Sequence, residues 1–433
     1  MSPQALLQAQ RPTQKYFSFS ALKKLAFFFG TLALYIALSL VKMRYYFEDG
    51  RFWAEEGTRF VRGIYGLDLL DAIFWIYHGH LEMVTNLVVY VSSLTSFERA
   101  PLVTTYLSLL VQALPVMVVI AYRVQLKLSK WSVLAWVVIL VGIPQGNEVW
   151  ANSINLHFHL ALLVAIIAAL PPQHGWQRHP LRGAILVSGL SGIPANFLAP
   201  VFFWLAVKEK DTERWVLFGI LAATTALQIS LLLFSGSHLG HRTYEFDSVV
   251  FLLSTVSQSF LFPLFGADIG RHIGFLLVHN TLEWEVFGLV LVAALLWPII
   301  LLIAALWRHG SRSEWTLLVS AAVLAALSFW LALGPERTPF VSGGGGRYWY
   351  APNALLFLSL LIFLNRLKIR TGQFFLILVV VTSLHSIHSD RLRGPQWAEE
   401  YQRAVAEGER RVPIWPGGWY IWIPETAQVS REG

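Results

Sequence analysis

Long apolar runs separated by short polar breaks recur along the whole 433-residue chain. Runs at Leu25–Val41, Leu102–Ala121, Trp131–Ile143, Leu156–Leu170, Trp215–Phe234, Val286–Trp307, Trp315–Leu333, Ala351–Leu364 and Phe374–His388 are read as membrane crossings. A helix needs about 20 residues to span the hydrocarbon core, so the shorter runs are expected to tilt or to borrow flanking polar residues. The run Gly183–Val207 is broken by Gly192-Ile-Pro-Ala-Asn196, which predicts a hairpin of two short helices. Leu81–Phe97 and Phe251–Phe265 are also apolar enough to cross, but counting either would reverse every later loop. They are read as in-plane or re-entrant helices whose backbone is sheltered by protein. The pattern predicts an all-α, polytopic transmembrane bundle of about 11–13 crossings. A segment 1–24 precedes it, the bundle occupies 25–388, and a small tail follows over 389–433.

Composition agrees with that class. Charged residues make up 14% of the chain and hydrophobic residues 55%, with 18 Trp and a mean hydropathy of +0.55; a soluble domain carries about 25% charged residues. The formal charge of +7 does not point to nucleic acid, because the basic residues sit in short loops between apolar runs. Seventeen Lys and Arg fall in the first segment and alternate loops, against three (Arg242, Arg337, Arg347) in the remaining short loops. The positive-inside rule then places the N-terminus inside and the loop over 44–81 outside. The absence of Cys removes disulfides, thiol catalysis and Cys-ligated zinc from consideration.

Candidate chemistry collects on the expected outer side. Tyr45-Tyr-Phe-Glu-Asp-Gly-Arg-Phe-Trp-Ala-Glu-Glu-Gly57 follows the first crossing and interleaves acids with aromatic rings. As a helix it would place Glu48 with Glu55, and Asp49 with Glu56, on shared faces two turns apart. Tyr45, Tyr46, Phe47, Phe52 and Trp53 would then lie at headgroup depth. Asp49 is the leading candidate base, because Gly50 frees the backbone to turn it. Other outer residues are His78, His80, Glu82, Glu148, His157, His159, Arg271, Arg347 and Tyr348. His78-Gly-His80 has the look of a ligand pair, although backbone hydrogen bonding is the commoner use of such histidines. Four glycines, Gly343 to Gly346, permit close approach of an anion, and Arg347 supplies a fixed charge beside them.

The layout resembles the GT-C superfamily of polyprenyl-phosphate-dependent glycosyltransferases. The resemblance rests on one crossing, then an acidic–aromatic outer loop with the adjacent pair Glu48-Asp49. Tyr77-His-Gly-His-Leu81 is similar to the part of that loop leading into the next helix. Arg347-Tyr348 and Pro413-Ile-Trp-Pro-Gly-Gly-Trp419 are similar to segments of bacterial members. Glu48 stands where the family usually has Asp, and the short tail differs from members with a large C-terminal domain. The resemblance implies a monosaccharide carried from a polyprenyl phosphate to a glycan or lipid-linked acceptor, with inversion. It implies an enzyme of cell-envelope polysaccharide synthesis in the bacterial inner membrane, with a periplasmic active site and no cofactor or metal. Asp49 and Glu48 would be catalytic, and Arg347, Tyr348, Arg242 and Arg271 would hold the donor phosphate. Glu55, Glu56, His78, His80 and Glu148 would contact substrate. A lipid-linked glycan polymerase or ligase, and a lipid-sugar flippase, are the competing readings; the flippase is disfavoured by charges gathered at one face rather than the midplane.

Overall fold

A computed structural model describes residues 19–144, 146–235, 246–282, 304–332, 337–367, 370–387 and 396–424. The described residues open with α1 (Phe19–Lys42), an apolar helix that ends one residue before the short α2 (Arg44–Asp49). An irregular stretch and a π-helical turn, Glu56–Val61, lead to α3 (Leu69–Ile73) and a two-stranded hairpin. In that hairpin, β1 (Ile76–Tyr77) pairs antiparallel with β2 (His80–Leu81). Next come α4 (Met83–Ser93), then α5 (Ala100–Gln112) and α6 (Leu114–Ala121), jointed where Pro115 withholds a helical N–H.

α7 (Lys130–Gly142) and α8 (Leu156–Ala169) follow. α9 (Arg178–Gly189) and α10 (Ala199–Glu209) are separated by the turn Gly192–Asn196, so this run is two short helices. α11 (Thr212–Phe234) starts where the Asp211 carboxylate accepts from Glu213 N at 2.9 Å. α12 (Ser248–Val256) and α13 (Phe262–Leu282) are joined by a π turn. The last long helices are α14 (Arg312–Leu331), α15 (Arg347–Leu367) and α16 (Arg370–Ile387).

Six helical stretches among the described residues are long and apolar enough to cross a membrane: Ala21–Lys42, Ala100–Ala121, Thr212–Phe234, Ser248–His279, Arg312–Leu331 and Arg347–Leu367. Four shorter apolar helices accompany them, Met83–Ser93, Lys130–Gly142, Leu156–Ala169 and Leu376–Ile387. The protein is therefore a mostly helical, multi-pass membrane protein. The segment expected in plane at Phe251–Phe265 belongs to the stretch Ser248–His279, whose length and composition suit a crossing. Leu81–Phe97 forms only an 11-residue helix, too short to span untilted. Most of the run Val286–Trp307 lies outside the described residues.

α8 is the axis of the bundle. It is apolar all round, a pattern that demands burial on every side, and all but His157 of its residues are buried. It packs against α6, α14, α15 and the turn at Pro194–Leu198. A second, smaller core joins distant parts of the chain. Phe52, Phe60, Val61 and Ile64 of the first loop pack with Trp397, Tyr401, Val412, Ile414 and Ile421. These last residues come from α17 (Trp397–Ala406) and the hairpin of β3 (Arg411–Ile414) with β4 (Trp419–Trp422). Burying a large apolar side chain contributes about 1.5–3 kcal/mol, so this cluster holds loop and tail together.

Candidate functional site

The acidic loop is not one helix. α2 stops at Gly50, whose φ of 70° breaks the helical ladder after Gly50 N bonds Tyr46 O. A Cβ on Gly50 would lie 2.7 Å from Leu102 N, so only glycine fits the turn. The two-turn spacing expected of Glu48 with Glu55 and of Asp49 with Glu56 therefore does not put them on shared faces. Glu48 points to solvent and pairs with Arg44 at 2.7 Å. The Asp49 carboxylate accepts from the backbone N–H of Trp397 and, at 3.2 Å, that of Ala398. It caps the N-terminus of α17, a helix 348 residues further along. The ring positions are corrected as well: Tyr46, Phe47 and Trp53 are buried in the main bundle core, and Phe52 is buried against the tail. Trp53 pairs with Trp415 as an isolated bridge.

Glu56 is fully buried and holds the loop to the segment before α8. Its carboxylate accepts from Ser153 N at 2.8 Å, Ser153 Oγ at 2.5 Å and Trp53 N at 2.9 Å. Burial pushes the Glu56 carboxyl up, with these donors opposing the shift. Glu55, its neighbour, is only half-buried and lies close enough to Arg347 to interact with it electrostatically. Arg347 opens α15 and reaches Glu148 at 3.4 Å. It also donates to Tyr348 Oη at 3.4 Å and lies 5.1 Å from that ring's centre. Both members of the pair stay accessible, the Arg347 side chain at 30% and Glu148 at 45%. Two amides fix Glu148 in place: Asn152 Nδ2 and Asn155 Nδ2 donate to its backbone carbonyl at 2.9 and 2.7 Å.

A second cluster adjoins the first. Glu82 Oε1 lies 3.3 Å from His80 Nε2 and 3.3 Å from His157 Nδ1. Burial alone would raise the Glu82 carboxyl, but the two imidazoles outweigh it and hold it down at about 2. Gly192, with φ 98°, presses against this cluster; a Cβ there would meet Glu82 Oε1 at 2.7 Å. His78 occupies the tip of the β1–β2 hairpin with φ 47°, its ring 4.1 Å from Tyr77. His80 thus faces Glu82, and the pair His78–His80 does not share a ligand-like pocket. Phe158 joins the clusters, its ring 4.3 Å from His157 and 5.8 Å from Tyr348. Among the described residues, no group of three or more His, Asp and Glu has metal-holding geometry.

The structure brings together Glu55, Glu148, Arg347 and Tyr348, and Phe158 links them to His157 of the Glu82 cluster. It sets apart Glu48, Asp49 and Arg271, the last of which is exposed and faces Asp268 of its own helix at 3.9 Å. Arg242 lies outside the described residues. The glycine turn is a packed element: Gly343 N and Gly344 N close on Phe340 O and Pro339 O, and Gln258 Nε2 donates to Phe340 O and Gly344 O. Two features escaped the sequence reading, the Ser153 anchor of Glu56 and the role of Glu82 between two histidines. The polar run Asn152-Ser-Ile-Asn155, which interrupts apolar residues before α8, was the available signal. Compared with family models, curated proteins and solved structures, the chain matches none.

Proposed function

We propose that the chain is an integral-membrane glycosyltransferase that moves a monosaccharide from a polyprenyl phosphate to a glycan or lipid-linked acceptor. The reaction would take place at the periplasmic face of a bacterial inner membrane. One observation carries the reading: a half-open guanidinium, Arg347, sits at the end of a membrane-length helix, paired with the accessible carboxylate of Glu148 and within electrostatic reach of the half-buried Glu55. Lipid-phosphate sugar transfer needs this combination. A base takes the acceptor hydroxyl proton as the acceptor oxygen bonds to the anomeric carbon. The bond from that carbon to the phosphate oxygen breaks, and a cation stabilises the charge left on the polyprenyl phosphate.

Arg347 takes the second role, with Tyr348 beside it. The first role passes from Asp49 to Glu55. Both Asp49 oxygens accept backbone N–H groups of α17, and Glu56 is enclosed by Ser153 and Trp53. Glu55 is the loop acid whose charge reaches Arg347. Direct displacement from the side opposite the phosphate inverts the anomeric carbon.

The test is transfer of labelled sugar from synthetic monosaccharyl polyprenyl phosphates by the protein reconstituted in lipid. Transfer is expected from at least one donor. Arg347→Ala should weaken donor binding by about 10- to 150-fold, since a charge-assisted contact is worth about 1.5–3 kcal/mol. Arg347→Lys should recover part of it, lacking only the planar fork. Consumption of lipid-linked oligosaccharides with none of the monosaccharyl donors would replace this reading with the polymerase or ligase one.

A further inference from the structure

The end of the bundle away from the candidate site holds a cavity of about 440 Å³ between the start of α1, the end of α6 and the start of α7. α1 has 24 residues, and a helix rises about 1.5 Å per residue, which puts the two ends about 36 Å apart. Four cations line the cavity, Lys23, Lys24, Arg123 and Lys130, and its described lining contains no acid. Arg123 and Lys130 converge on one ring: they lie 5.4 and 5.3 Å from the centre of Phe27. Lys23, Lys24 and Lys130 are exposed and Arg123 is half-buried beside this apolar wall, an arrangement that attracts anions from the bilayer surface. From the cavity an apolar path runs down the flank of the bundle through Phe28 and the exposed Phe29.

We propose that this cavity binds the phosphate headgroup of an anionic glycerophospholipid of the surrounding bilayer. Its acyl chains would lie along the Phe28–Phe29 flank. The volume suits a headgroup, since ligand sites span about 300–1,000 Å³. Basic pockets between membrane helices are the known chemistry of anionic lipid recognition. This site is independent of the glycosyltransferase reading, and its test involves no turnover.

The chain has no Cys, so Val124→Cys, at a residue that lines the cavity and is 71% exposed, accepts a single fluorophore. The labelled full-length protein is placed in phosphatidylcholine vesicles containing either brominated phosphatidylglycerol or brominated phosphatidylcholine. Quenching by the anionic lipid is expected at about tenfold lower mole fraction, with the preference shrinking as salt rises. Arg123→Gln with Lys130→Gln should abolish the preference, while Lys208→Gln should leave it intact. Equal quenching by both lipids in the Val124→Cys protein, whose cations are unaltered, overturns the proposal. So does a preference that survives loss of Arg123 and Lys130, or one erased by millimolar inorganic phosphate, which would mark a free-anion site.

Discussion

The two ends of α8 use the same residue types for opposite purposes. At its C-terminal end three carboxylates are matched to guanidinium groups. Glu213 pairs with Arg182 at 2.9 Å, Glu209 with Arg214 at 2.8 Å and also with Arg312, and Glu314 with Arg366 at 2.9 Å. Those arginines also donate to the last carbonyls of the helix: Arg214 and Arg312 both reach Leu170 O, and Arg312 reaches Ala168 O at 3.2 Å. The lattice closes a helix end whose carbonyls would otherwise lack donors. At the N-terminal end the acids face amides, imidazoles or one long, accessible ion pair. Closed pairing at one end is architecture, and incomplete pairing at the other leaves charge available to the proposed substrate.

Substitutions at each end sharpen this contrast. The largest effect is expected of Glu55→Gln. Removing a general base costs about 10²–10⁴-fold in turnover, and donor affinity and melting temperature should stay near wild type. A Glu55→Gln protein with normal transfer would shift the base to Glu148. Glu209→Gln should behave in the reverse sense. It strands the buried Arg214 and is expected to cost about 3–5 kcal/mol of stability, read as a large fall in thermal midpoint in detergent. Turnover per folded molecule should hold.

Glu82 supplies a pH test. Its carboxyl drops from an ordinary 4.5 to about 2 in the folded protein, so its contribution is fully present above pH 4.5 and is lost as pH falls towards 2. The size is at most about 3 kcal/mol. The gap in thermal midpoint between wild type and Glu82→Gln should therefore narrow across that window, and a gap constant with pH would mean that the imidazoles do not hold the carboxylate. The smallest effect belongs to Asp49→Asn. Loss of a capping carboxylate costs about 1 kcal/mol, seen as looser docking of α17 in hydrogen exchange, with transfer close to normal. Loss of transfer by orders of magnitude there would return the base to Asp49.

The bundle was legible in the sequence because membrane helices announce themselves by local apolar length, and each run stands alone. α1, α11, α14 and α15 lie close to the runs read for them. The site was less legible, because its contacts are remote. Ser153 is 97 residues from Glu56, Glu148 is 199 from Arg347, and Trp397 is 348 from Asp49. No spacing rule within the loop reveals which acid is taken by a distant backbone. Gly50 was a local sign that the helix ends, yet its freedom was read only as mobility for Asp49. The length of Ser248–His279 was hidden by the demand that every basic loop face one side.

The docking of the tail on the first loop sets an order of events during synthesis. Asp49, Phe52 and Trp53 emerge early, but their partners Trp397, Ala398 and Trp415 are made 345 to 362 residues later. At a synthesis rate of about 5–20 residues per second, that delay is tens of seconds. Through that interval the Asp49 carboxylate and the Phe52 ring wait without their tail partners. A chain stopped before residue 397 would keep the Glu56–Ser153 anchor but lack the tail's hold on Asp49, Phe52 and Trp53, so synthesis of the tail completes the docking of that loop.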